Sequence, residues 1–156
     1  AGVECLMVSA DDQDTVTGAR GMEVTMDEKL SEIDDQCDLV VLPGGIPGVP
    51  NLKANSKVQA MVKAQNDRGG YVAAICAGPT ALGAFGVLAD KNATCYPGCE
   101  DQLMAKRHST EPVVVDGNVI TSRGVGTAIE FALKLVEILI DRQTADDLAE
   151  KIVYKR

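Results

Sequence analysis

Cys76 stands where an apolar run gives way to a small-residue turn, in Ala73-Ala74-Ile75-Cys76-Ala77-Gly78-Pro79. Tyr71–Ile75 follows the breaker Gly69-Gly70 and reads as a short strand buried on both faces. Pro79 suits the first turn of a following helix, where its missing N–H is not needed. A side chain on such a strand-to-helix elbow is presented at the carboxyl end of a sheet, above a helix N-terminus. Unpaired N–H groups and the helix dipole favour negative charge there, which should lower the thiol pKa and populate the thiolate. Cys76 is therefore the candidate nucleophile. An inert core thiol is the alternative, a common fate for a free cysteine.

Gly44 and Gly45 follow a second apolar run, Asp38–Leu42. By themselves they describe a tight turn. Beside a nucleophile they also let backbone N–H groups approach a reacting carbonyl, as an oxyanion site requires. The other cysteines, Cys5, Cys37, Cys95 and Cys99, bring the total to five and contain no C-x-x-C. An odd, dispersed set is not a disulfide framework and suits a reducing compartment, with a cytoplasmic location as the default. Cys95 and Cys99 are four apart, but the single histidine, His108, is not at a usual zinc-ligand spacing, so no metal site is predicted. His108 itself, beside Lys106 and Arg107, reads as solvated. Gly124-Val125-Gly126 lacks the third glycine and the preceding parallel strand of a dinucleotide fingerprint, so no nucleotide cofactor is predicted.

The elements that must hold these residues alternate along the chain. Val3–Ser9 reads as a strand ended by Asp11-Asp12-Gln13-Asp14, Val24–Met26 as a short strand, and Asp27 as the cap of a brief helix through Leu30 and Ile33. After the Asp38–Leu42 strand, Asn55 or Ser56 caps a helix with Val58, Met61, Val62 and Gln65 at helical spacing, ending at Arg68-Gly69-Gly70. The Cys76 strand leads into a helix through Ala84. Ala93–Tyr96 reads as a short strand and Glu100–Lys106 as helical. Val113–Thr121 is a hairpin with an Asp-Gly turn. A helix then buries Ile129, Ala132, Leu133, Val136 and Ile140 on one face, and a last helix spans Ala145 to Ile152. Alternating strands and helices with apolar strands predict an α/β domain with a largely parallel sheet, whose ligands bind at the carboxyl ends of the strands.

A chain of 156 residues fits one domain, 1–156, with a real core. Net charge −8 with interspersed signs argues against nucleic acid and against an anionic membrane surface. With no Trp, three Tyr and two Phe, base-stacking platforms are not expected either. No apolar run reaches the roughly 18–20 residues of a membrane span.

Taken together, Asp38-Leu-Val-Val-Leu-Pro-Gly-Gly45, Ala73-Ala-Ile-Cys-Ala-Gly-Pro-Thr-Ala-Leu82, Thr121-Ser-Arg-Gly124 and Gly126-Thr-Ala-Ile-Glu-Phe-Ala132 resemble the DJ-1/PfpI (ThiJ) superfamily, most closely its DJ-1 branch. The blocks keep the family's order and spacing along the chain. The resemblance implies a flavodoxin-like three-layer α/β sandwich with a mostly parallel sheet and one hairpin, usually a homodimer. It also implies a redox-sensitive nucleophile at Cys76, oxyanion donors at the backbone N–H groups of Gly45 and Ala77, and Gly44, Tyr96, Arg20 and Arg123 as pocket candidates. For Arg20 a solvated turn after Gly18-Ala19 is the alternative.

This chain departs from the family pattern in three places. The resemblance implies a further strand, a loop bearing a glutamate that bonds the cysteine, and a helix ahead of Ala1; their absence would leave two internal strands with open edges, so the working protein is expected to contain them. Many relatives carry a histidine where this chain has Tyr96, and a phenol is a poor general base at neutral pH. Val125 replaces a common proline after Arg123-Gly124. The leading expectation is an enzyme in which Cys76 attacks a small aldehyde or dicarbonyl such as methylglyoxal, a glyoxalase or deglycase needing neither metal nor glutathione. The alternatives are a redox-sensing stress protein or chaperone, whose cysteine is oxidised to sulfinate, and a cysteine peptidase or amidase.

Overall fold

Apolar strands separated by helical segments pair in parallel, because the crossover helix returns the chain to the same end of the sheet. The computed structural model, which describes residues 1–34 and 36–155, is built this way. Its elements are β1 (Val8–Ser9), β2 (Thr15–Thr17), β3 (Glu23–Thr25), β4 (Glu28–Lys29), β5 (Leu39–Leu42), α1 (Gly48–Ala54) and α2 (Ser56–Asp67). There follow β6 (Tyr71–Ile75), α3 (Pro79–Ala84), β7 (Asn92–Ala93), β8 (Arg107–His108), β9 (Val113–Asp116), β10 (Val119–Ser122), α4 (Ala128–Leu139) and α5 (Arg142–Lys151).

The main sheet has the order β5-β6-β10-β9. Strand β5 lies parallel to β6, with Leu39 opposite Tyr71, and β6 parallel to β10, with Val72 opposite Val119. Only β9 is antiparallel, as the partner of β10 in the hairpin. Side chains alternate across a strand, and β6 shows the result. Val72 and Ala74 join a core with Val49, Val58, Val62, Leu82 and Phe85 from α1, α2 and the α3 region. Ala73 faces the other side, with Ile120 and Phe131, against Leu135 and Ile138 of α4. Sheet and two helical layers make the flavodoxin-like sandwich that the sequence implies.

Gln65 braces the amino end of this sheet. Its fully buried amide nitrogen lies within 3.1–3.2 Å of the carbonyl oxygens of Cys37, Asp38 and Tyr71, and its amide oxygen accepts from Arg68. Asn118 acts beside it, donating from its side chain to Gly70 O at 2.9 Å. Asn55 caps α2 as predicted, its Oδ1 accepting from the N–H groups of Lys57 and Val58.

Several elements differ from the sequence reading. Of Val3–Ser9 only Val8–Ser9 is in a ladder, with Glu28–Lys29 as its short parallel partner, and Val3, Leu6 and Met7 stay exposed. Asp27 caps no helix, because its carboxylate accepts from Met7 N at 2.8 Å and the chain continues into β4. The predicted Val24–Met26 strand is β3, shifted by one residue and paired antiparallel with β2. Helix α1 has no counterpart in the sequence reading. Of Ala93–Tyr96, only Ala93 belongs to a ladder; Thr94 N instead donates to Thr121 Oγ1 at 2.9 Å and Tyr96 N to Cys76 O at 2.8 Å. Glu100–Lys106 holds just a 3₁₀ turn, Glu100–Gln102, because Met104 takes φ +51°, outside the helical region.

The hairpin turns on Gly117-Asn118, one residue later than expected, since Asp116 still pairs with Val119. Helix α4 buries Phe131 and Leu133 while Ile129, Ala132 and Ile140 are exposed. Apolar residues nearly encircle this helix, so periodicity does not choose its phase; contact with the sheet does. Helix α5 starts at Arg142, ahead of Ala145, because Asp141 accepts from Thr144 N. No helix among the described residues is long and apolar enough to cross a membrane.

Candidate active site

Strand β6 ends at Ile75, and the chain turns at once. Cys76 adopts φ +64°, a left-handed conformation that costs a non-glycine residue on the order of 1–3 kcal/mol and concentrates at functional positions. Two backbone bonds hold it: Cys76 N donates to Ser122 O at 3.0 Å, and Cys76 O accepts from Tyr96 N at 2.8 Å. Pro79 then opens α3 at its first turn. The thiol is half-buried, and among the described residues no hydrogen bond occupies it. The elbow inferred from sequence is present.

The end of β5 closes against this elbow. A Cβ on Gly44 would lie 2.6 Å from Cys76 Cβ and 3.2 Å from Ala77 N, so only glycine permits the approach. Gly45 follows at φ +95°. The N–H groups of Gly45 and Ala77 meet no acceptor among the described residues. Across the site, a Cβ on Gly124 would lie 3.3 Å from the Tyr96 ring and 4.0 Å from Cys76 Sγ, which puts thiol, ring and the start of the loop after β10 together. All these segments leave the carboxyl ends of parallel strands, where a sheet of this kind binds ligands.

Arg123 is half-buried; its Nη1 donates to Thr110 O at 3.3 Å, while its buried Nε has no partner among the described residues. Arg20 stands on the exposed tip of the β2–β3 hairpin, and no hydrogen bond or ion pair ties it to the group around Cys76. His108 lies exposed on β8. Among the described residues no three His, Cys, Asp or Glu side chains gather as metal ligands would.

Two neighbours of the site escaped the sequence reading. Glu100 accepts from Gly98 N at 2.7 Å, and bonds to backbone N–H groups hold its carboxyl below the usual range. Cys99 is half-buried; desolvation pushes its thiol up, and the Cys76 charge adds to that shift. Cys95 is fully buried, and burial, followed by the Glu100 charge, pushes its thiol up to about 11. The Cys-x-x-x-Cys spacing was the available signal for Cys99, but it points to metal ligation as readily as to thiol chemistry. Hollows elsewhere on the surface, such as a groove of about 650 Å³ lined by Arg107, His108, Val113 and Val115, lack a comparable convergence of reactive groups.

Comparison with known proteins agrees with this geometry. Residues 1–138 match the model of the DJ-1/PfpI family. The chain is 39% identical over 160 residues to the Parkinson disease protein 7 homolog of Danio rerio, an alignment covering 99% of this chain and 85% of that protein. It is 35% identical over 137 residues to the glutathione-independent glyoxalase DJR-1.2 of Caenorhabditis elegans, covering 86% and 73%. The solved structure of Toxoplasma gondii DJ-1, oxidized, superposes with a TM-score of 0.92 at 33% identity, over 97% of this chain and 83% of that one. With the family model matched over residues 1–138 and relatives aligned over most of the chain, the chain belongs to the DJ-1/PfpI family.

Proposed function

We propose that this protein is a cysteine-dependent enzyme of small reactive carbonyls, of the glutathione-independent glyoxalase or deglycase kind, serving in oxidative stress. One observation carries the reading: a half-buried thiol at a left-handed elbow, flanked by the unpaired N–H groups of Gly45 and Ala77. The relative named as a glyoxalase supports the choice of reaction. Cys76 Sγ attacks the aldehyde carbon of a dicarbonyl such as methylglyoxal, forming a C–S bond while the carbonyl electron pair moves to oxygen. The Gly45 and Ala77 N–H groups receive that oxyanion, the largest single contribution such a site can make. The hemithioacetal carbon then loses its proton to give an enediolate, and reprotonation at the neighbouring carbon leaves the thioester of a 2-hydroxy acid. Water releases the hydroxy acid and restores the thiolate. Tyr96, a phenol and so a poor general base at neutral pH, positions substrate or water.

A redox-sensing role is the second reading, favoured by the oxidized state of the Toxoplasma gondii relative. A peptidase or amidase needs a competent base to protonate an amine leaving group, and the only histidine, His108, lies exposed on β8. Methylglyoxal consumption with hydroxy-acid release tests the enzyme reading. Cys76→Ser should abolish turnover, because a hydroxyl is hardly ionised at pH 7. Tyr96→Phe should cost about tenfold in kcat/KM, roughly 1.4 kcal/mol. A folded Tyr96→Phe as inactive as Cys76→Ser would make Tyr96 the proton carrier, and turnover retained in Cys76→Ser would overturn the reading.

A further inference from the structure

The loop carrying Cys99 hangs directly on the nucleophile. Tyr96 N donates to the carbonyl of Cys76 itself, and Cys99 N closes a turn back onto Tyr96 O at 3.0 Å. The Cys99 side chain packs against the core cluster that includes Ala77 of the elbow and Leu82 and Phe85 of the α3 region. Residues 97–99 belong to no helix or strand, and the ends of a four-residue turn lie within about 7 Å of each other, so the turn keeps Cys99 in the neighbourhood of Cys76; a disulfide needs the two Cα atoms within roughly 4.4–6.8 Å. Cys95 is a poorer partner: it is fully buried, and the residue before it is fixed by the bond from Thr94 N to Thr121 Oγ1.

We propose that Cys99 is a resolving thiol for Cys76, closing an intramolecular disulfide after hydrogen peroxide has oxidised the nucleophile. The inference rests on Cys76 being the reactive thiol of the proposed function. In the first step the Cys76 thiolate attacks the terminal peroxide oxygen. An S–O bond forms, the O–O bond breaks, and the leaving oxygen departs as hydroxide and takes up a proton. Sulfur is oxidised to the sulfenic acid and the peroxide is reduced to water. In the second step the Cys99 thiolate attacks Cys76 Sγ. The S–S bond forms, the S–O bond breaks, and hydroxide leaves as a second water with the proton given up by Cys99. Burial first, and then the Cys76 charge, pushes the Cys99 thiol up; a neutral sulfenic acid at Cys76 removes the second cause and leaves the first. A disulfide is reversible by thiols, whereas the competing sulfinate is not.

The test treats the full-length protein with one equivalent of hydrogen peroxide, blocks free thiols with iodoacetamide and digests with trypsin without reductant. Cys76 falls in the peptide 69–91 and Cys95 and Cys99 together in 92–106, so fragmentation of the linked pair assigns the bridge. The expected result in the unmodified chain is a Cys76–Cys99 link, reversed by dithiothreitol and formed in a yield independent of protein concentration. In Cys99→Ala, sulfinate on Cys76 becomes the main product. Sulfinate on Cys76 in equal yield with and without Cys99, or a bridge through Cys95, overturns the resolving role while leaving Cys76 the reactive thiol. A Cys76 untouched by peroxide while other cysteines react overturns both this proposal and the enzyme reading.

Discussion

Cys76 pairs a left-handed backbone with a half-buried thiol that no hydrogen bond occupies among the described residues, so stability and reactivity pull in opposite directions at one residue. The Cβ atom makes that conformation unfavourable by roughly 1–2 kcal/mol, and glycine is free of the penalty. Cys76→Gly should therefore exceed Cys76→Ala in urea-denaturation stability by about 1 kcal/mol, the reverse of the usual order for these residues. Both variants should be inactive toward methylglyoxal. Equal stability would mean that the elbow relaxes once the sulfur is gone. The elbow at Cys76 was legible from its neighbours alone, since a small-residue run with Pro79 after an apolar strand marks a strand-to-helix turn. Cys99 and Glu100 were not. Their place at the site is set by one bond between Tyr96 N and Cys76 O, a contact between distant segments that no local pattern announces.

The elbow depends on how closely β5 meets β6, and Gly44 sets that distance. In Gly44→Ala the new methyl would sit 2.6 Å from Cys76 Cβ and 3.0 Å from Ile75 O. Neither backbone can yield without moving the site, so the variant should lose about 1–3 kcal/mol, as overpacked cores do, together with kcat/KM. Gly48→Ala, where a Cβ meets nothing within 4 Å, is the control and should be near neutral in both assays. Among the elements, those with a strong local signal were read correctly. Tyr71–Ile75 is bounded by Gly69-Gly70, α2 carries its own Asn55 cap, and β9–β10 needs only a turn. The two-residue ladders β1–β4 and β7–β8 were missed or misjudged. Each owes its existence to a partner some way off in the chain, and Glu28 and Lys29 have no strand character of their own.

For the molecule as a whole, the ionisable groups bound the pH range of stability from both sides. Asp116, bonded to Asn92, Asp14 to Lys29 and Asp12 to Ser31 all have carboxyls held below 3.8. A lowered carboxyl contributes stability above its unfolded pKa and loses it as pH falls through the folded value. Cys95 acts in the opposite sense. Its contribution is complete below 9.0 and is lost as pH rises toward about 11. Urea midpoints should thus be flat across neutral pH and decline below about 4 and above about 9, and Cys95→Ala should flatten the alkaline limb alone. An alkaline limb unchanged by Cys95→Ala would assign it to other groups. The sheet is also unequal along its strands. Its amino end is braced by the side-chain amides of Gln65 and Asn118, whereas at the carboxyl end Cys76 is held by single backbone bonds to Ser122 and Tyr96. Such a sheet resembles a clasp, stiff at the hinge and compliant at the jaw. In hydrogen–deuterium exchange the amides of Tyr71 and Val72 should outlast those of Cys76 and Tyr96, so that thermal breathing opens the chain toward its substrate side first, and Gln65→Leu should narrow that difference by loosening the hinge.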